Sequence, residues 1–299
     1  MTKRLVFFQK FFFAILFCFV SSNLVRAEQK LFTLAYLENG LKELKNNDKQ
    51  VALQLFANEL IRGSGVQMTV KPVRTFPEMR QLISDGKVDY AIFNGYHLLE
   101  HYDFLHNHFV TPLLTIQRGP SDRENFIIVA NKQYAGQELI NLQGKTLSLH
   151  PQYLLMKFYL EYLIEKSSGL DILHFFSKIK HTKTASQAVL DVYFGNSDLC
   201  IIPKHIFDLT VELNPAIMQK IFIMHQSGKQ FFPVMILNFK HVDNSIRSLI
   251  NKNVLMLNQS ARGQQILEMF SLQSIHTVTL KQLHPMQKIF KHYQSLLKK

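Results

Sequence analysis

An α/β fold of two similar lobes is what this 299-residue sequence predicts. Three observations carry that prediction. The first is a unit written twice, as EMRQLISDGKVDYAIFNG over residues 78–95 and QAVLDVYFGNSDLCIIPK over 187–204. Each copy is a short amphipathic helix, a glycine, two residues, an aspartate and an apolar strand. Gly86 matches Gly195 and Asp89 matches Asp198 at one common offset. The glycine stands where a helix end favours a residue free to take positive φ. The strand after it is apolar on both faces, as a covered parallel strand is. The second observation is the alternation of strand and helix signals, which predicts a sheet covered by helices. The third is the lack of any low-complexity or Pro/Gly/Ser-rich linker, so the lobes should be joined by crossing strands.

The elements follow in order. Residues 1–27 read as a secretory leader: Lys3, Arg4 and Lys10 form a basic start, 11–20 an apolar run, and Val25-Arg26-Ala27 a small-residue cleavage site. The apolar run is shorter than the roughly 20 residues that a spanning helix needs. An uncleaved anchor is the alternative, and the bulky Phe17 before Cys18 argues against a lipid-attachment site. Residues 30–36 form a first strand, and Asn39-Gly40 marks a turn in the polar stretch 37–48. Residues 49–62 have helical spacing and end at Gly63-Ser64-Gly65. After a strand over 66–73, Thr75 and Glu78 form a capping box with Pro77 in the first turn. The first repeat's strand ends at Phe93, and a helix spans 96–102. Strands over 109–116 and 126–130, separated by a polar loop, mark the passage into the second lobe. A strand over 146–149 runs into His150 and Pro151, which should open a long helix through 166. Residues 172–179 are expected as a strand, Thr184 or Ser186 as the cap of the second repeat helix, and 206–213 as a helix. Strands over 221–224 and 232–238 follow, the latter as the return crossing, and the tail from 244 should be mainly helical. The expected division is a leader at 1–27, lobe one at 28–117 plus 239–299, and lobe two at 118–238.

Composition narrows the function. The formal charge of +12 falls to +8 once the leader's four cations, Lys3, Arg4, Lys10 and Arg26, are removed. A positive field favours anionic partners. The remaining Lys and Arg are scattered rather than clustered, which argues against a nucleic-acid footprint. Beyond the leader the chain keeps a single cysteine, Cys200, inside an apolar strand, so no disulfide framework is available. No nucleophile elbow and no P-loop are present, so the sequence is read as a binding protein rather than an enzyme, with no cofactor.

With these residues in view, the chain resembles the phosphate/phosphonate-binding proteins of ABC importers, a branch of the type 2 periplasmic binding protein fold. The resemblance rests on Asp85-Gly86-Lys87-Val88-Asp89-Tyr90-Ala91, on Leu142-Gln143-Gly144-Lys145-Thr146-Leu147, on Gly195-Asn196-Ser197-Asp198, and on Gly263-Gln264-Gln265-Ile266-Leu267 in the tail. It implies two lobes, each a mostly parallel sheet covered by helices, joined by two crossing strands. It also implies a periplasmic, monomeric solute receptor, released by cleavage after Ala27. Such a receptor closes on a small phosphonate- or phosphate-like oxyanion and presents it to an ABC permease. The alternative partner is a membrane signalling protein that reads ligand occupancy. The departures fall at the ligand. Where the family has a Ser/Thr-rich turn at a helix start, this chain has His150-Pro151-Gln152-Tyr153. Where the family has an aromatic-x-Gly-Pro turn, it has Ile92-Phe93-Asn94-Gly95. Pro203-Lys204 replaces an acidic or hydroxyl residue.

Open α/β sheets bind ligands beyond the carboxyl ends of their strands. The candidate ligand-binding residues are therefore Tyr36, Asn94, Gly95, Tyr96, His97, His150, Gln152, Tyr153, Pro203 and Lys204. A different reading of one helix is a zinc site. His97-Leu98-Leu99-Glu100-His101 places two histidines four apart on one face, with Glu100 as base and Glu161 or Glu165 as third ligand. His106 and His108 add to the local histidine density.

Overall fold

The computed structural model describes residues 30–38, 46–119, 121–151 and 153–298. The leader, the Asn39-Gly40 turn and Gln152 lie outside the described residues. The strands are β1 (Leu31–Leu37), β2 (Gln67–Val73), β3 (Tyr90–Asn94), β4 (Phe109–Gln117), β5 (Phe126–Asn131), β6 (Thr146–Leu149), β7 (Lys178–His181), β8 (Leu199–Pro203), β9 (Ile221–Gln226), β10 (Val234–Phe239) and β11 (Ser274–Val278). The helices are α1 (Asn46–Leu60), α2 (Phe76–Ser84), α3 (Gly95–Glu100), α4 (Tyr102–His106), α5 (Leu154–Ser168), α6 (Ile172–Phe175), α7 (Ala185–Tyr193), α8 (Lys204–Leu213), α9 (Ile217–Lys220), α10 (Asn244–Leu255), α11 (Ala261–Met269) and α12 (Leu280–Leu296). The strands form a six-stranded sheet, ordered β11-β4-β10-β3-β1-β2, and a five-stranded sheet, ordered β7-β6-β8-β5-β9. Both are mixed: β10 and β11 run against their neighbours in the first, β5 in the second.

The duplicated unit makes the same bonds in both lobes. Gly86 has φ +65° and Gly195 φ +75°, so each helix ends through a left-handed residue. Asp89 Oδ2 accepts from Thr33 N at 2.8 Å, and Asp89 N donates to Thr33 O. Asp198 Oδ2 accepts from Thr146 N at 2.8 Å, and Asp198 N donates to Thr146 O. Each aspartate thus clamps its strand to the start of the neighbouring parallel strand, β1 in one lobe and β6 in the other. Burial pushes the Asp198 carboxyl up, but bonds from Thr146 Oγ1, Tyr134 and Thr146 N outweigh it and hold the group below its ordinary 3.8. Cys200 lies next to this clamp in β8, a free thiol with no exposed surface. Burial pushes its ionisation well up.

Three expectations change in the structure. Residues 172–175 are helix rather than strand, because Asp171 accepts from Leu173 N and His174 N and starts a turn; the strand is β7, further along. The tail is mainly helical, as expected, with one strand, β11, paired antiparallel with β4 at the sheet edge. At Thr75 only half of the capping box forms. Thr75 caps Glu78 N, while the Glu78 carboxylate accepts from Arg74 N instead of Thr75 N. The reciprocal box is at Thr279 and Gln282. Finally β10, assigned to lobe two by the expected boundary at 238, is bonded between β3 and β4 in the six-stranded sheet. The return to that sheet is therefore made before residue 234. The two passages run side by side, and Glu124 N donates to Phe231 O at 2.7 Å.

One apolar cluster runs through both lobes. Phe93 and Leu98 contribute from the first sheet's side, and Leu155 and Phe158 from α5. The C-terminal helix α12 follows β11 yet packs on α5. Phe290 and Tyr293 lie 5.2 and 5.3 Å from the Phe158 ring, and Tyr293 donates to Glu161 at 3.2 Å. Gly95 sits where α3, α5 and the second passage converge. A Cβ there would overlap the Phe232 carbonyl oxygen and lie 3.0 Å from Leu155 Cδ2. Gly95 N donates to Pro233 O at 2.9 Å.

Two stability outcomes follow from these contacts. Asp198→Ala leaves Thr146 N without its partner and should cost about 1–3 kcal/mol in urea unfolding. Because the folded carboxyl ionises below its ordinary value, its contribution is present above 3.8 and fades as the pH drops through the lowered folded value. The variant should therefore lose less of its stability than the parent over that acid range. Gly95→Ala forces backbone apart at the lobe junction and should cost at least the ~1–3 kcal/mol typical of overpacking. A Gly95→Ala protein with an unchanged urea midpoint would refute the close approach.

Candidate functional site

The carboxyl ends of β3, β6 and β8 lead into α3, α5 and α8, and the sequence-predicted residues fall around these three junctions. Asn94 ends β3 with extended backbone and caps α3, its side chain accepting from His97 N at 2.8 Å. Tyr96 turns its ring toward Phe158 and Phe290, 6.1 Å from each, and its hydroxyl donates to Glu100 at 3.3 Å. Burial and the Glu100 charge push that phenol up to about 12. His97 is 9% exposed, and its Nδ1 is buried without a partner. Burial lowers its pKa, so the ring favours the neutral form.

On the other side, His150 follows β6 and is also buried. Its Nδ1 lies 2.9 Å from Thr182 O. A carbonyl only accepts, so Nδ1 carries the proton and Nε2 of the neutral ring is an acceptor. The Tyr153 ring stands 5.4 Å from it, edge to face. The helix does not open at Pro151 as expected. Residue 153 is still non-helical, at φ −88° and ψ 77°, and α5 begins at Leu154. With the His150 ring tied to Thr182 and no cap bond from the Tyr153 side chain, α5 begins at Leu154, where Leu155, Met156 and Phe158 are buried.

That start has a property few others share. Thr75, Thr184, Asp243, Ser260 and Thr279 cap α2, α7, α10, α11 and α12 with their side chains. Among the described helices of eight or more residues whose caps are described, only α5 and α8 lack a side-chain cap. Both follow central strands of the five-stranded sheet at its carboxyl edge. At α8 the first N–H is already used, since Lys204 N donates to Asn125 O at 2.8 Å. An uncapped helix start presents N–H donors and the positive end of the helix dipole.

The structure brings some predicted residues together and separates others. Gly95 and Leu155 are in contact range across the lobe junction, so the Asn94–His97 and His150–Tyr153 groups lie on its two sides. Pro203 is buried at the end of β8 in register with Phe126, and the Lys204 ammonium is held by Asp208 of its own helix at 2.7 Å. Lys204 therefore gives its charge to α8. Tyr36 belongs elsewhere. It is 4% exposed within the apolar layer that Leu53 and Phe56 build on the opposite face of the first sheet. Burial and Glu38 raise its phenol.

The histidine-rich helix is occupied by packing. His101 stacks on Phe76 at 3.3 Å, its Nε2 sits 3.1 Å from Glu100, and burial with nearby Arg80 pushes its pKa down to about 4. His108 Nδ1 is spent on Phe104 O, and Glu161 on Lys157 and Tyr293. Among the described residues no group of three or more His, Cys, Asp and Glu is placed to hold a metal ion.

Sequence reasoning missed the charges on the first passage. Arg123 holds its guanidinium 5.0 Å above the Phe232 ring, and Glu124 pairs with His205 at the start of α8 at 3.2 Å. The signal was available as charged residues in a polar loop bounded by two apolar strands.

The geometry agrees with comparisons to known proteins. A family described as "ABC transporter, phosphonate, periplasmic substrate-binding protein" matches residues 45–283. No curated protein sequence matches the chain. Among solved structures, a Xanthomonas citri protein bound to ATP superposes with TM-score 0.62 at 12% identity, over 90% of this chain and 99% of that one. PhnD1 from Prochlorococcus marinus in complex with methylphosphonate gives 0.61 at 15%, over 89% and 98%. A binding-protein component of a Pseudomonas aeruginosa ABC phosphonate transporter gives 0.58 at 13%, over 90% and 88%. At these identities the superpositions show a shared two-lobed fold, and the family match over most of the chain identifies it as a member of the periplasmic phosphonate-binding family of ABC transporter substrate-binding proteins.

Proposed function

We propose that this chain is an exported solute receptor that closes its two lobes on a small oxyanion, of the phosphonate or phosphate class, and delivers it to an ABC permease. The leader read in residues 1–27, cut after Ala27, would release it as a monomer into the periplasm, the compartment of its family. Lobe one would comprise 28–117 and 234–299, and lobe two 126–226, joined by the passages 118–125 and 227–233. The observation that carries the ligand class is the α5 start, uncapped by any side chain at the carboxyl edge of its sheet. Where relatives of this family use hydroxyls, this chain would use the N–H groups of the α5 first turn. Tyr153 and His150 would flank the anion on one side, Asn94 to His97 on the other. Arg123 on the first passage supplies a nearby positive charge.

Binding to the folded state alone raises the melting point, by about 2.7 kcal/mol of stabilisation at a ligand concentration 100 times Kd. A thermal-shift series with methylphosphonate, phosphate, sulfate, a sulfonate and neutral amino acids should show shifts confined to the phosphorus oxyanions. Shifts only with a neutral solute would sink the assignment. Calorimetric titration of variants then locates the site. His150→Ala should weaken binding by roughly 10- to 100-fold, the loss of one hydrogen bond involving a charged group. Tyr153→Asp should weaken it further than Tyr153→Ala does, because the new carboxylate caps the helix start and repels the anion. Equal losses in the two Tyr153 variants would remove the α5 start from the site.

A further inference from the structure

The five-stranded sheet has two ends. Its carboxyl end leads into α5 and α8. At the other end Lys178 stands in register with Thr146, Leu199 with Leu147 and Ala130, and Asn131 with Ile221. There β6, β7, β8 and β9 begin, β5 finishes, and α5, α7 and α8 run out. The three most exposed large apolar side chains among the described residues are Leu213 at 80%, Leu173 at 74% and Phe194 at 65%, and all three belong to this end. They come from the last turn of α8, from α6 and from the turn after α7, elements that pack on opposite faces of the sheet. Lys132, Lys145, Lys166, Lys178 and Lys220 stand at the same end. Three of these lysines lie over tyrosine rings: Lys145 over Tyr134 at 5.4 Å, Lys166 over Tyr162 at 5.8 Å and Lys220 over Tyr193 at 5.0 Å. Of the carboxylates nearby, Asp171 holds His174, Asp198 holds Thr146 and Tyr134, and Glu165 acts on Tyr293 of α12, so the lysines meet Glu138 and Glu212 with charge to spare. A lysine laid along a ring keeps its stem on apolar surface and its ammonium in water. Leucine, phenylalanine and lysine presented together suit the boundary between lipid head groups and acyl chains. Anionic lipid adds an attraction for each cation held close to the surface.

We propose that this end of lobe two is a membrane-binding face, which seats Leu173, Phe194 and Leu213 at the acyl boundary of an anionic bilayer while the lysines meet the lipid phosphates. A protein partner would have to match a ridge or a groove. Three side chains on separate elements, spread across both helical layers, suit a flat and fluid partner. Bound in this way, the lobe keeps its carboxyl end clear of the surface. The inference uses none of the residues flanking the α5 start and does not rest on the oxyanion reading.

The test uses the protein from residue 28 onward, so that the apolar run at 11–20 takes no part. It should sediment with vesicles of phosphatidylcholine and phosphatidylglycerol in equal parts and only weakly with phosphatidylcholine alone, the difference shrinking as salt is added. Leu213→Asp and Phe194→Asp should each weaken binding about tenfold or more. Their melting temperatures should match the parent's, because both side chains already stand in solvent. Val51→Asp, at a position 61% exposed on α1 of lobe one, should bind as the parent does. The chain has no tryptophan, so a single introduced one reports its own surroundings. Phe194→Trp emission should shift to the blue on the anionic vesicles, and Val51→Trp emission should not. No sedimentation with the anionic vesicles would overturn the proposal, as would a loss in Val51→Asp as large as that in Leu213→Asp. A doubled mass in light scattering that Leu213→Asp abolishes would also overturn it, because the end would then belong to a second copy of the chain. Equal binding to the two kinds of vesicle would overturn the part given to the lysines. Should either aspartate variant melt below the parent, Leu173→Asp reads the same end from α6, with the same outcomes decisive.

Discussion

The Phe232 carbonyl oxygen fills the space that any side chain at residue 95 would need, and the arrangement of the two lobes depends on that contact. It lets α3 begin directly against the second passage, with Gly95 N bonded to Pro233 O. It also brings Leu155 of the opposite lobe to the same point, so that the lobe junction closes with carbon. From there a continuous apolar cluster extends through Phe158 into α12, which leaves the first sheet and lies on a helix of the second. A hinge with such a back wall turns about a packed pivot. The proposed closure would bring the lobes together at the carboxyl edges of the strands while the α12 side stays in contact. Closure of this kind needs differential ligand contacts on the two lips, since a ligand shifts a two-state equilibrium only by its difference in affinity for the two states.

How much of this is readable from the sequence depends on how local each determinant is. The duplicated unit is legible because its logic is contained in a few residues: a glycine that accepts positive φ, and an aspartate whose carboxylate reaches an amide near the start of the neighbouring strand. Gly86 and Gly195, and Asp89 and Asp198, do the same work in both lobes. Residues whose roles are set by distant partners are less legible. Tyr36 ends a strand at the right edge, but its ring points to the face covered by α1, and alternation along so apolar a strand does not tell the faces apart. Pro151 has the form of a helix opener, yet Thr182, far along the chain, holds His150 and delays the helix to Leu154. The Arg123 guanidinium gains its place only from the pairing of the two passages, which joins segments separated by more than a hundred residues. The edge strand β11 is hidden in a segment dominated by helical spacing, because its apolar partners lie on β4.

The proposed site would exchange one anion-binding design for another. A hydroxyl at a helix start has two roles: it caps the helix when the site is empty and contacts the ligand when it is full. Here no side chain takes the first role at α5, while the surrounding helices are conventionally capped. In the proposed reading the ligand would take the part of that cap. Stability and binding are coupled at that turn, since whatever satisfies those N–H groups steadies the helix that forms the lobe junction. The neutral, buried His97, with its partnerless Nδ1, adds a second polar group whose satisfaction falls to an incoming molecule.

Cys200 gives this architecture a built-in clock. The thiol lies in the middle of the second sheet with no surface exposed, and its ionisation is suppressed, so in the folded lobe Cys200 is withheld from thiol reagents. Reagent reaches it only when β8 separates from its neighbours. In a chain that begins at residue 28, where Cys200 is the one thiol, the rate at which a thiol-specific dye accumulates therefore counts openings of one lobe alone, without a mutation.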